Sequence, residues 1–290
     1  MKIGFQGIKG AYSEIAVNQY FKNLCGNIDA ISFDGFDDVF EAVKNKEIDA
    51  GVIPFENTIA GSVASNYDLL VRDGLVIVGE VFVKINHCLL FNKGTSFDNL
   101  KTIYSHPVAL DQCKDFIKKH KLKAVPVYDT AGAAKMVSER LRIDEAAIAS
   151  NLCAEIYNLN KIDESIESHV SITKFFVVVL PEMVDRINLE TIQSTNENIK
   201  KEKTCIALKT KHYPGALVNA LQRLSMHNVN MTKLESRPIL GTPWEYMFFV
   251  EIDGGIDDEN IKKVLVEIEA TSLFFKILGS YPKGTEWLFR

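Results

Sequence analysis

VIPFENTIAGSV, residues 52–63, runs from an apolar strand through a polar turn towards a helix. Val52 and Ile53 read as the end of a buried strand, and Pro54, which has no N–H for a ladder, is expected to stop the pairing. Glu56, Asn57 and Thr58 then fall at the carboxyl end of that strand, with Gly61 and Ser62 opening the next helix. In open α/β sheets that end is where ligands bind, and the backbone N–H groups of the following turn and helix receive anions. Taken alone, the segment is equally an ordinary strand-to-helix turn with Glu56 solvated and Asn57 capping.

Outward from this segment the pattern alternates strands with amphipathic helices: strands at 2–6 and 28–33, helices at 11–21 and 36–44. Strands follow at 75–83, 88–91, 102–104, 124–127 and 147–149, with helices at 108–119, 131–141 and 152–157. The last strand, TKFFVVVL at 173–180, is rich enough in aromatic and β-branched residues to be fully buried. This is α/β, and two lobes around a cleft is the economical arrangement. Residues 181–203 are polar and charged without apolar periodicity, as a linker should be. Beyond them the order strand 204–209, helix 214–226, strand 230–237, strand 244–252, helix 257–269 and strand 274–279 is a ferredoxin-like βαββαβ unit. The expected divisions are a first domain over 1–180, a linker over 181–203 and a second domain over 204–290. Within the first, lobe one takes 1–75 plus 172–180 and lobe two takes 76–171.

With 290 residues, 47% of them hydrophobic, the chain can build two or three real cores. Thirty-three Lys and Arg against 38 Asp and Glu leave a net charge of -5 without a long basic run, which argues against a nucleic-acid partner. Apolar stretches are strand-sized, so no membrane association is expected, and MKIG enters a strand at once without room for a leader; a cytoplasmic location follows. Five cysteines without a CxxC pair suit reduced thiols. His106 and Cys113, seven apart, lack zinc-site spacing, and no metal or cofactor is expected.

Residues 4–14, GFQGIKGAYSE, space glycines as GxxGxxG, not the dinucleotide pattern GxGxxG, and the chain has no P-loop. The loop suits close approach to a small anion, with Tyr12 and Ser13 at the helix start. Ser105-His106-Pro107 precedes a helix whose Gln112 points back at a ligand, and Asp129-Thr130-Ala131 repeats the grammar of strand, cap and small residues. Each is separately an unremarkable helix cap; with Glu56-Asn57-Thr58 they make four polar helix starts suited to a small dianion. In SITKF, 171–175, alternation sends Ser171, Thr173 and Phe175 to one face and Lys174 to the other. A buried lysine there is costly unless it meets a carboxylate or water.

In these motifs, in 66–70 (NYDLL), in 147–159, and in Gly215-Ala216-Leu217 and Glu235-Ser236-Arg237-Pro238, the chain resembles prephenate dehydratases carrying a C-terminal regulatory ACT domain. Residues 66–80 and 129–135 look like the related arogenate dehydratases. The family's usual Asn-x-Thr-Arg-Phe is here Ser171-Ile172-Thr173-Lys174-Phe175, and lysine lacks the bidentate fork of arginine. The resemblance implies a periplasmic-binding-protein-like catalytic domain converting prephenate to phenylpyruvate, with arogenate dehydration or non-catalytic anion binding as alternatives. It implies Thr173 as the residue acting on the departing hydroxyl and Glu56, its pKa raised by burial, as a general acid or a structural acceptor. Ser13, Asn57, Thr58, Gln112, Thr130 and Lys174 would bind the substrate, and Phe175 would border its ring. It also implies a phenylalanine site between two ACT domains, on Gly215, Ala216, Leu217, Asn230, Glu235, Ser236, Arg237 and Pro238, and hence a homodimer or homotetramer.

Overall fold

The computed structural model describes residues 1–22, 27–162, 166–187, 202–239 and 241–284. The first lobe comprises β1 (Lys2–Gln6), α1 (Tyr12–Phe21), β2 (Asp29–Phe33), α2 (Phe36–Lys44), β3 (Ala50–Asn57), β4 (Gly61–Ser62), α3 (Ala64–Asp73) and β5 (Val76–Ile85). The second holds β6 (Cys88–Phe91), β7 (Thr102–Ser105), α4 (Pro107–Gln112), α5 (Lys114–Lys119), β8 (Lys123–Pro126), α6 (Thr130–Arg140), β9 (Glu145–Ala149), α7 (Asn151–Ile156) and β10 (Asn160–Ile162). The chain then returns as β11 (Ser171–Val179) to the first sheet, which is ordered β2-β1-β3-β11-β5 with β4 on β3. The second sheet is ordered β10-β6-β9-β7-β8. Parallel strands joined by helices make both sheets α/β, and β11 is antiparallel to both of its neighbours.

Four expectations shift. β5, expected to open lobe two, is an edge strand of the first sheet and pairs with β11, so the lobes divide at Asn86-His87. Its length and nearly continuous burial leave it no place but beside another buried strand. Pro54 does not end β3, which runs on to Asn57: β1 stops pairing at Val52, and a register shift at Phe55 against β11 accommodates the missing donor. Gly61-Ser62 forms β4 rather than a helix start. The single helix expected over 108–119 breaks at Cys113 into α4 and α5.

The C-terminal domain is β12 (Glu202–Thr210), α8 (Ala216–Met226), β13 (Met231–Pro238), β14 (Tyr246–Asp253), α9 (Glu259–Thr271) and β15 (Ser272–Pro282), the βαββαβ order expected. Its antiparallel sheet runs β13-β14-β12-β15. Most of the expected linker, 188–201, and the last residues, 285–290, lie outside the described residues. At the linker's described ends Ile187 is fully buried and Lys203 lies buried inside β12, so these residues belong to packed structure.

The C-terminal domain and the first lobe share one core. Phe55 stacks against Tyr67 and Phe176, and these reach Phe249 and Tyr281 across the boundary at ring separations of 4.8 and 5.6 Å. Each such fully buried aromatic contributes about 2 to 3 kcal/mol by area. At Gly279, a Cβ would fall 2.2 Å from the Ile77 carbonyl oxygen, so β15 can lie on β5 only with glycine there.

Candidate active site

β11 carries the site because it pairs with β3 on one side and β5 on the other, and its amino end meets the return from lobe two. Alternation places Ser171, Thr173 and Phe175 on one face. Across the β3 ladder, Thr173 lies opposite Asn57 and Lys174 opposite Glu56.

Asn57 is saturated. Its Oδ1 accepts from the backbone N–H groups of Ile59 (2.9 Å) and Ala60 (2.8 Å), which fixes the amide orientation. Its Nδ2 then donates to both Ser171 Oγ and Thr173 Oγ1, each at 2.9 Å. The N–H groups expected to receive a substrate anion are thus taken by the protein's own Asn57, which has no bond left for a ligand. Thr173 Oγ1, by accepting from Asn57, keeps its own proton free to donate. Thr58 is tied to the same strand: its backbone N–H donates to the Ile172 carbonyl and its Oγ1 accepts from Ile172 N–H at 3.0 Å.

On the lobe-two side, one end of the buried Gln112 amide lies 3.3 Å from Ser171 Oγ and the other 2.9 Å from His87 Nε2. The two lobes meet close by: the Gly10 carbonyl accepts from Ser150 Oγ (2.6 Å) and Cys153 Sγ (3.3 Å), and Tyr157 donates to the Lys9 carbonyl. Gly10 has φ +94°, and a Cβ there would stand 2.5 Å from Cys153 Sγ, so this approach requires glycine. Burial raises the Cys153 thiol to about 11, and it is not a nucleophile at neutral pH. Ser13 is buried in the first turn of α1, and Phe175 is buried in the core shared by the lobes. Thr130 opens α6 beside Asp129, whose Oδ1 caps Ala131 N–H while its Oδ2 is buried without a hydrogen-bond partner.

Lys174 and Glu56 depart most from expectation. Lys174 Nζ lies 2.6 Å from Glu251 of β14 and 3.3 Å from Glu56. Glu56 is also 3.1 Å from Lys233 of β13. Both side chains therefore point into the domain boundary, on the face of β11 opposite Thr173. Half-burial would raise the Glu56 carboxyl, but Lys174 and Lys233 outweigh it and hold it below its ordinary range, the reverse of a general acid. Burial opposes the Lys174 charge, yet Glu251 and Glu56 raise its pKa. Lys203 bonds Glu80 at 3.1 Å and lies 3.7 Å from Glu251, completing a buried ionic network between the domains.

In the C-terminal domain, Gly215, Ala216 and Leu217 border an open hollow of about 500 Å³ with Tyr213, Trp244 and Tyr246. Glu235 and Arg237 instead face the catalytic domain, Glu235 accepting from Ser62 and Arg237 pairing with Asp68 at 2.7 Å. Ser236 and Pro238 are exposed, and Asn230 donates to Asp253. Sequence reasoning passed over Ser171 and His87 as site residues; Ser171's place on the Thr173 face was the signal for the first. Among the described residues there is no cluster of three or more potential metal ligands, and no helix is long and apolar enough to cross a membrane.

The model of the family described as prephenate dehydratase matches residues 3–183. The chain is 36% identical to arogenate dehydratase/prephenate dehydratase 2 of Arabidopsis thaliana, over 99% of this chain and 74% of that one. To the bifunctional chorismate mutase/prephenate dehydratase of Escherichia coli it is 34% identical, over 97% and 70%. Among solved structures, the prephenate dehydratase of Arthrobacter aurescens in complex with L-Phe superposes with a TM-score of 0.83 at 27% identity, covering 97% of this chain and 90% of that one. A structure described as GqqA, a novel type of quorum-quenching acylase, superposes at 0.86 with 30% identity, covering 99% and 100%. The chain is an enzyme of the prephenate dehydratase family, closely related to the arogenate dehydratases.

Proposed function

We propose that the chain converts prephenate to phenylpyruvate. The ring carboxylate leaves as CO2, its bonding electrons enter the ring, and the ring hydroxyl departs as water once it gains a proton. Aromatisation drives the step, so the protein's task is to orient the dianion and support the leaving hydroxyl. The carrying observation is Asn57: with its oxygen fixed by two backbone N–H groups, it donates to Thr173 and leaves the Thr173 proton for the leaving group. Thr173 is no strong acid, so it acts as a hydrogen-bond donor, directly or through water, with Ser13, Thr130 and the helix starts of both lobes orienting the carboxylates.

Arogenate, with an ammonium in place of the keto oxygen, is the second reading, favoured by the unpartnered Asp129 Oδ2, which offers a carboxylate oxygen to a cation. Hydrolysis of the acylase kind has less support, since Ser171 and Thr173 are bonded to neutral amides and no carboxylate or imidazole bonds either hydroxyl among the described residues. Parallel turnover assays on the two substrates test the assignment. Prephenate should be preferred by about tenfold or more in kcat/KM, and a reversed preference that Asp129→Asn abolishes would establish the arogenate reading.

The C-terminal unit, on this reading an ACT domain, binds phenylalanine between two copies in a cytoplasmic homo-oligomer. The hollow at Gly215 to Leu217, with Trp244 79% exposed beside it, supports a site completed by a partner chain. Calorimetry should detect phenylalanine binding to an oligomeric sample, and its absence there would remove the proposal.

A further inference from the structure

The segment joining the lobes between β5 and β6 is Asn86-His87, and the return segment ends at Ser171. His87 is 3% exposed, and its backbone N–H donates to the Glu167 carboxylate on the return segment. Gln112 ties the same two segments, since its carbonyl accepts from Ser168 N–H while its amide spans His87 and Ser171.

Proton counting gives this chain a direction. Tyr12 has one hydroxyl proton and donates it to the Asn86 carbonyl at 2.6 Å. Its oxygen, 3.1 Å from His87 Nδ1, must therefore accept, so Nδ1 carries the ring proton. The Gln112 amide is placed with its oxygen 2.9 Å from His87 Nε2 and its nitrogen 3.3 Å from Ser171 Oγ, but in a neutral ring Nε2 is then bare and needs a donor, so proton counting turns the amide over, nitrogen towards His87 and oxygen towards Ser171. With the amide turned over, Ser171 donates to that oxygen and accepts from Asn57, whose other amide proton is held on Thr173. We propose that His87 is a positioning residue for the dehydration: its ring, fixed in one tautomer between Tyr12 and Gln112, directs the hydrogen bonds that run through Ser171 and Asn57 and hold the Thr173 proton towards the substrate.

A second ring proton reverses the chain. Nε2–H then needs the Gln112 oxygen and the amide nitrogen faces Ser171, which accepts from both Gln112 and Asn57 and loses the acceptor that held its own proton. The ionisable groups facing the ring are Tyr12 of α1 and Glu167 of the return segment, and Tyr12 in turn feels the thiols of Cys88, Cys113 and Cys153. Burial outweighs the nearby Glu167 carboxylate and holds His87 below its ordinary range, so the wild-type ring stays neutral at neutral pH.

The inference rests on the dehydration reading, and wild-type turnover of prephenate or arogenate is measured first so that failure of that reading is seen separately. On the full chain, His87→Leu should lower kcat about 30-fold and leave KM within about threefold. His87→Gln, whose side-chain oxygen can accept from the Gln112 amide as the bare Nε2 does, should recover most of that loss and lack the wild-type fall in kcat at acid pH. Because His87 acts through Ser171, the double variant His87→Leu/Ser171→Ala should lose no more than Ser171→Ala alone. Near-normal kcat in His87→Leu, losses that multiply in the double variant, or an unchanged acid limb in His87→Gln would each overturn the proposal. If His87→Leu fails to fold, His87→Gln and its pH profile decide it alone.

Discussion

The two faces of β11 lie on one strand and carry different kinds of bond. On the cleft face, Ser171 and Thr173 meet neutral amides in a hydrogen-bond chain that joins both lobes. On the opposite face, Lys174 meets Glu251 and Glu56 in an ionic network joining the catalytic sheet to the C-terminal domain. Neutral bonds orient a hydroxyl without setting a net charge beside it, whereas the buried ion pairs join two domains. Glu56 and Lys174 are chain neighbours of Asn57 and Thr173, and the period of two along a strand assigns them to the other task. Any signal passing from the C-terminal domain to the cleft has a short route, across the thickness of this strand and of β3.

The comparison breaks most readily at Asn57. Asn57→Leu removes two donors and two acceptors, and kcat should fall about 10³-fold with a stability loss of about 2 kcal/mol; steady-state kinetics and thermal melting read both. A loss of affinity alone would return Asn57 to the role of substrate ligand. On the other face, Lys174→Met leaves buried Glu251, among the described residues, with the longer 3.7 Å contact to Lys203 as its remaining ion pair, and should cost about 3 to 5 kcal/mol in denaturant unfolding while kcat stays within about threefold. A kcat collapse in a folded sample would move Lys174 into the chemistry. Glu56→Gln should be milder, with kcat within about threefold and a stability loss of about 1 kcal/mol or less, since Glu56 is half-exposed. A large kcat loss would revive the general-acid role.

The smallest effect is in pH. The Glu56 pKa is lowered in the fold, so its contribution is present above the ordinary carboxylate value of 4.5 and is lost as pH falls through the folded value. The melting-temperature gap between wild type and Glu56→Gln should accordingly be level from neutral pH down to about 5 and close below that. A gap that widens on acidification would mean that the two lysines do not hold the carboxylate.

The alternation of 2–6, 28–33 and 36–44 was legible because apolar periodicity is local, and α2 (Phe36–Lys44) appears where its pattern placed it. Pro54 misled because a proline stops pairing only where its missing donor faces a partner, and that depends on β1 ending at Val52, which no local pattern carries. β5 was given to the wrong lobe for a similar reason: its partner, β11, lies some 90 residues later. Alternation did place Ser171 and Thr173 together and Lys174 opposite them. It named neither Glu251, on a different domain, nor His87, whose partners Gln112 and Tyr12 lie 25 and 75 residues away. Motif residues are legible locally, and long-range register decides which of them share a face of β11.

The most direct test of that division is turnover by Thr173→Val, an isosteric change that removes the hydroxyl and keeps the strand. The account expects kcat to fall towards background with KM and the melting temperature nearly unchanged, and near-normal turnover in a folded Thr173→Val sample would contradict it.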